Sequence, residues 1–214
     1  MKIKYLGHSA FLITSDAGVR IITDPYTPNE RIKLAEPSET ADIVTMSHCH
    51  GDHSNIACVK GNPQGIMGYG KCNIKGVEIV GIPAFHDNVG GKRAGSNTIY
   101  CFTADGMRVC HLGDLGHMPT DAQIAEIGKI DVLLTPMAGN YTMDAATATE
   151  LMNRLKPAVT VPMHYRNAKV DYPVETVEAF TSGKKNVVMP DSSEIEVQKG
   201  KMPKGEIVVL KPAL

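Results

Sequence analysis

Apolar residues come in short β-rich clusters through the first half of this chain, at 3–6, 11–14, 19–23 and 43–46, each bounded by Gly, Ser, Asp or other polar residues. Runs this short with branched side chains predict buried strands rather than helices. Further strands are expected at 77–82, 98–102, 107–112, 132–134 and 159–161, and helical patterns at about 120–128, 144–155 and 173–182 are interleaved with them. Asp144 opens the second helix as a cap, and Lys156-Pro157 closes it before the next strand. Ala104-Asp105-Gly106-Met107 reads as a two-residue hairpin turn, whose register sets Thr103 opposite Arg108, Phe102 opposite Val109 and Cys101 opposite Cys110. The tail, 186–209, alternates strand-like runs with Gly and Pro and is expected to complete a sheet edge. With no internal repeat and no low-complexity linker, the pattern predicts one α/β domain over residues 1–214.

Composition narrows the function classes. At 214 residues and 43% hydrophobic content the chain can bury a full core. A net charge of −1 gives no basic footprint for nucleic acid. No apolar run reaches membrane-spanning length, and the first residues lack the apolar core of a secretory signal, so a cytoplasmic protein acting on a small molecule, without membrane or nucleic-acid partners, is expected; oligomerisation stays open. The five cysteines form no Cys-x-x-Cys pair, and reduced thiols are favoured over a Cys101–Cys110 disulfide. Eleven scattered methionines read as core filling, not as soft metal ligands.

The chemistry concentrates after the fourth apolar run, in Thr45-Met46-Ser47-His48-Cys49-His50-Gly51-Asp52-His53. Three imidazoles and a carboxylate within six positions suit zinc, iron or manganese. Other candidates follow predicted strands: His86 and Asp87 after the 77–82 run, Asp114 within His111-Leu112-Gly113-Asp114-Leu115-Gly116-His117, and His164 within Pro162-Met163-His164-Tyr165. Strand ends are where an open sheet presents functional side chains.

His48-x-His50-x-Asp52-His53 followed by His86, Asp114 and His164 resembles the ligand series of the metallo-β-lactamase superfamily, with all seven positions filled. Leu6-Gly7-His8-Ser9, the phrase from His111 to His117, and Pro162-Met163-His164-Tyr165 resemble the Zn-dependent hydrolases related to L-ascorbate-6-phosphate lactonase. The likeness spans about residues 2 to 168. It implies an αββα sandwich, two mixed β-sheets flanked by helices, with two divalent metals, zinc first and manganese or iron as alternatives. His48, His50 and His86 would hold one metal and Asp52, His53 and His164 the other, with Asp114 bridging. The hydroxide generated there would attack an ester, lactone or phosphoester-type bond of a small anionic substrate. Asp52 would also orient the nucleophile or handle its proton.

Other positions keep two readings. His8 is either an active-site group or a structural turn histidine, and Asp24 either steadies a ligand imidazole or caps a turn. His111 is expected in the core or behind a ligand, and His117 is open. Lys92 and Arg93, on a glycine-rich stretch read as a mobile loop over the site, either grip a phosphate or carboxylate or merely solvate the loop. Asn140 and Tyr141 either donate to substrate or cap a helix; related proteins often carry two glycines in that loop, where this chain has Ala138 and Gly139. Three rival functions remain. A diiron oxidoreductase on this scaffold has Glu where this chain has His50, a phosphodiesterase or nuclease lacks its basic surface here, and seven intact ligands argue against a non-catalytic binding module. The missing secretion signal argues against a true β-lactamase.

Overall fold

The computed structural model describes residues 1–214. Two mixed sheets pack face to face. The first has six strands in the order β13-β1-β2-β3-β4-β5, formed by β1 (Lys2–Gly7), β2 (Ala10–Thr14), β3 (Arg20–Thr23), β4 (Ile43–Met46), β5 (Gln64–Met67) and β13 (Glu194–Glu196). The second has eight in the order β12-β14-β11-β10-β9-β8-β7-β6, formed by β6 (Gly70–Ile74), β7 (Val77–Phe85), β8 (Ser96–Ala104), β9 (Met107–His111), β10 (Val132–Pro136), β11 (Val159–Met163), β12 (Val187–Val188) and β14 (Glu206–Val208). Each is antiparallel in its hairpin half and parallel elsewhere. The β8–β9 hairpin has the expected register, with Cys101 opposite Cys110, and both thiols are buried and free.

Strand alternation explains the layering, because side chains at i and i+2 share a face. Ile3, Tyr5, Phe11, Ile13, Ile21 and Ile43 of the first sheet meet Ile79, Tyr100, Phe102, Val109, Leu134 and Val161 of the second in the central core. The opposite face of the second sheet, with Val80, Ile82, Cys101, Cys110 and Leu133, is covered by α1 (Asp121–Ile127), α2 (Ala145–Leu155) and α3 (Glu178–Thr181) through Ile127, Leu151, Leu155 and Phe180. All three helices lie on this one side. The outer face of the first sheet is covered instead by irregular chain, with Tyr26, Ile32, Leu34, Val59 and Val170 packed on Leu12, Ile22 and Val44.

Two differences from the sequence reading have physical causes. β5 and β6 carry no apolar pattern, being short, glycine-containing and mostly exposed at sheet edges. The helix expected over 173–182 shrinks to Glu178–Thr181; Pro173 and the β-branched Val174, Thr176 and Val177 disfavour it, and Thr176 instead bridges to Arg166. The tail serves both sheets, β13 pairing with β1 and β14 with β11. No helix is long and apolar enough to cross a membrane.

Candidate metal centre

One end of the sandwich gathers the loops that leave β1, β3, β4, β7, β9, β10 and β11. These carry, in order, His8, Asp24, the 48–53 cluster, His86, Asp114, Asn140 and His164. Four of these residues have left-handed backbones, His8 at φ 55°, Asp24 at 42°, Asn140 at 58° and His164 at 55°. Non-glycine residues adopt that region at a cost of roughly 1–3 kcal/mol each, so the surroundings must enforce it. The His8 carbonyl accepts from Tyr5 Oη and from His164 N, each at 3.0 Å. Asp24 N donates to Thr45 O at 2.8 Å. The turns at the ends of β1 and β11 are thereby fastened to each other.

Hydrogen-bond logic fixes the imidazole tautomers. Asp24 is fully buried and can only accept. It takes Ser47 N at 2.7 Å on Oδ1, and Ser47 Oγ at 2.6 Å and His53 Nδ1 at 2.9 Å on Oδ2. His53 is therefore protonated on Nδ1. Because the Ser47 hydroxyl proton is committed to Asp24, its oxygen must accept from His48 Nδ1 at 2.9 Å. His86 Nδ1 donates to the Tyr141 carbonyl at 2.9 Å. In their neutral forms all three rings then keep a bare lone pair on Nε2.

Those lone pairs converge. Asp114 Oδ2 lies 3.2 Å from His53 Nε2, 3.3 Å from His86 Nε2 and 3.2 Å from His164 Nε2, while His48 Nε2 and Asp114 Oδ1 are buried with no hydrogen-bond partner. Acceptors facing acceptors in a buried space are repulsive unless a proton or a cation lies between them. Three sets of donor atoms are each mutually within 4.8 Å: His48, His50 and His86; His8, Asp52, His53 and His164; and Asp24, His48 and His53. This nitrogen-and-oxygen donor set fits divalent cations such as zinc or manganese.

Charge follows the same plan. Burial pushes His48 down to about 3 and His8 down to about 4, so both are neutral near pH 7. Burial alone would raise the carboxyls of Asp24, Asp52 and Asp114, but the surrounding imidazoles outweigh it and hold all three below the usual carboxylate range. Against burial, which lowers it, Asp114 and the other carboxylates push His53 well above the ordinary histidine value. The protein alone draws a positive charge to the place where Asp114 faces the rings.

The seat of Asp114 depends on close backbone approach. Asn97 Oδ1 accepts Asp114 N at 3.0 Å, and Asn97 Nδ2 donates to Leu112 O at 2.9 Å. Gly113, at φ 56°, lies so near that a Cβ would overlap Asn97 Oδ1 and Ser47 Cβ. Gly113→Ala is therefore expected to cost about 1–3 kcal/mol of stability through overpacking, with added left-handed strain. It should also weaken metal binding, since Ser47 holds His48 and Asn97 holds Asp114. Urea unfolding and metal titration of the variant check this, and wild-type values in both would refute it.

The remaining positions sort by contact. His111 is fully buried, its Nε2 donating to Ser9 O at 2.9 Å and its Nδ1 accepting from Gly113 N at 3.1 Å, a fastening of the Asp114 turn. His117 accepts from Phe85 N and donates to Met118 O, bracing the chain behind His86. Asp87 organises the loop read as mobile, its carboxylate accepting from the backbone N–H groups of Val89, Gly91, Arg93 and Ala94 at 2.8–2.9 Å. Arg93 lines a cleft of about 610 Å³ that includes His86. Lys92 is exposed and lines neither this cleft nor the one of about 830 Å³ beside Tyr172. Asn140 borders both clefts and donates to Pro173 O at 3.1 Å. Sequence reasoning missed Ser47, Asn97 and Tyr172. Tyr172 Oη donates to Asp52 Oδ2 at 3.1 Å, from an irregular segment with no motif to mark it.

The chain is similar to known proteins of one family. The β-lactamase superfamily domain matches residues 2–164. A UPF0173 metal-dependent hydrolase of Thermococcus onnurineus is 33% identical over 77% of this chain and 84% of its own. Among solved structures, a Zn-dependent hydrolase of the metallo-β-lactamase superfamily from Thermotoga maritima is 36% identical, covers 98% of this chain and 97% of its own, and superposes with a TM-score of 0.82. A metallohydrolase of Ignicoccus hospitalis is 29% identical, covering 77% of this chain and 82% of its own with a TM-score of 0.58. With its two-sheet architecture, its convergent histidines and aspartates, and these relatives, the chain belongs to the metallo-β-lactamase superfamily, alongside the UPF0173 metal-dependent hydrolases.

Proposed function

We propose that this metal-dependent hydrolase carries two divalent cations, zinc in first place, and cleaves an ester, lactone or phosphoester-type bond of a small anionic substrate. His48, His50 and His86 hold one cation, Asp52, His53 and His164 the other, and Asp114 lies between the sets. The observation that carries this reading is Asp114 Oδ2, which faces Nε2 of His53, His86 and His164 within 3.3 Å. Two cations bound there supply an ionised water as nucleophile at neutral pH and polarise the bond under attack.

The chain's own groups do the rest. Asp24, through Ser47 and His53, and the Tyr141 carbonyl, through His86, hold the rings in the ligating tautomer before any cation arrives, which removes a reorganisation cost. Asp52, partly exposed beside the cleft, orients the attacking water and takes its proton, with His8 against it. Both clefts mix arginines with carboxylates, Asp144 and Glu150 in the one at His86, and Glu30, Asp171 and Glu175 in the one at Tyr172. Arg20, Arg108 and Arg154 are paired with carboxylates, while Arg93 faces the cleft at His86, and Arg31 and Arg166 face the cleft at Tyr172. Arg93, with Lys92 beside it and Asn140 between the clefts, contacts the substrate in this reading.

Elemental analysis of protein purified without added metal or chelator tests the proposal. About two zinc or manganese per chain, with turnover on a panel of lactones and phosphoesters that chelation abolishes and metal restores, is the expected result. Metal-free protein that cannot be reloaded would refute it, and two irons would point to oxidative chemistry instead.

A further inference from the structure

Asp52 Oδ2 is engaged from two sides. His8 Nε2 lies 3.2 Å away and Tyr172 Oη 3.1 Å away, and no protein group hydrogen-bonds Asp52 Oδ1. Both partners are themselves held. His8 is buried with a left-handed backbone fastened by Tyr5 and His164. Its Nδ1 has no partner, so all of its polar contacts run through Nε2, which also lies 3.3 Å from His53 Nε2. The Tyr172 ring stacks on His8 at 5.5 Å and 25° and lies parallel to His164 at 6.2 Å, with the Arg31 guanidinium 5.8 Å over it. Pairing of Asp171 N with Arg31 O and the Ile32–Val170 bridge fix the segment before it.

A carboxylate rotates easily about its last torsion, whose energy wells are broad. Two donors on one oxygen remove that freedom. We propose that His8 and Tyr172 are positioning residues that clamp Asp52 through Oδ2, the oxygen that also lies 3.7 Å from His53 Nε2, and so hold its carboxylate against the donor set of the second cation, with an aromatic residue from beyond the last ligand completing that site. This rests on Asp52 being a ligand. Tyr172 also walls the cleft of about 830 Å³.

The test is metal titration of the full chain by competition with a chromophoric zinc chelator, together with urea unfolding of the chelator-treated protein. Tyr172→Phe keeps the ring stack and removes one donor; His8→Asn keeps the left-handed backbone and removes the other. Each is expected to weaken the second zinc equivalent by about 10–100-fold, with the first equivalent and the metal-free urea midpoint unchanged. Wild-type zinc affinity in both variants would overturn the clamp, as would a loss of affinity that merely follows a lowered urea midpoint. Asp52→Ala separates the two layers of the claim. If it too binds both equivalents normally, the ligand role of Asp52 fails and the clamp with it. If it loses the second equivalent while Tyr172→Phe and His8→Asn do not, the clamp alone fails.

Discussion

Asp114→Ala is expected to lower metal content from about two equivalents to one or fewer, and to reduce turnover by more than about a hundredfold. The scale comes from comparison within the site. Groups that only steady a ligand cost about 10–100-fold when removed, and Asp114 does more than that, because its Oδ2 is the one carboxylate oxygen shared by His53, His86 and His164. Alanine leaves three lone pairs facing a cavity with no negative charge to hold cations near one another. Metal analysis and kinetics on the same preparation check the expectation. Two retained equivalents with lost turnover would mean that Asp114 acts on substrate rather than on metal. Retention of both would remove it from the centre altogether.

The second large effect is expected at Asp24, which touches no substrate cleft. Asp24→Ala strips the acceptor from Ser47 N, Ser47 Oγ and His53 Nδ1, all buried, and a buried group left without its charged partner costs about 3–5 kcal/mol. It also frees the tautomers of His53 and, through Ser47, of His48, so metal affinity should fall about 10–100-fold. Asp24→Asn separates the two effects. Asparagine tolerates the left-handed backbone, yet its amide offers only one acceptor oxygen for three donors. It should therefore keep more of the stability than alanine while losing a comparable share of the metal affinity. Chelator competition and urea unfolding read both quantities. An Asp24→Ala chain that binds metal as tightly as wild type would show that tautomer control contributes nothing here.

Much of the centre is legible before folding is considered. The residues from His48 to His53 are adjacent in sequence, and His86, Asp114 and His164 follow strands whose apolar runs mark their own ends. His8 and Asp24 were readable only as alternatives, because a lone polar residue after a strand looks the same whether it caps a turn or supports a ligand. Tyr172 and Asn97 carry no local signal: their roles exist only once segments distant in sequence are brought together, Tyr172 to Asp52 and Asn97 to the Asp114 turn. The same limit applies to the fold. Central strands announce themselves through buried branched residues, whereas β5 and β6 sit at edges where water tolerates glycine and lysine. Nor does periodicity say which side of the sandwich receives the helices, since a sheet face can be covered by irregular chain as well as by a helix, as Tyr26, Ile32 and Leu34 show.

The pairing of β1 with β13 has a consequence for the timing of synthesis. Lys2, Ile3 and Lys4 lie opposite Glu196, Ile195 and Glu194, so β1 finds one of its two neighbours only after β2 to β12 have all been made. Contacts of such sequence separation are slow to close. During that wait the histidines at 48–53 are already made, but the turn of His164 that fastens His8 is not. Metal captured early by the exposed cluster would be held by adjacent histidines alone, and the shared aspartate and the second ring set would join it only as the nascent chain finishes folding.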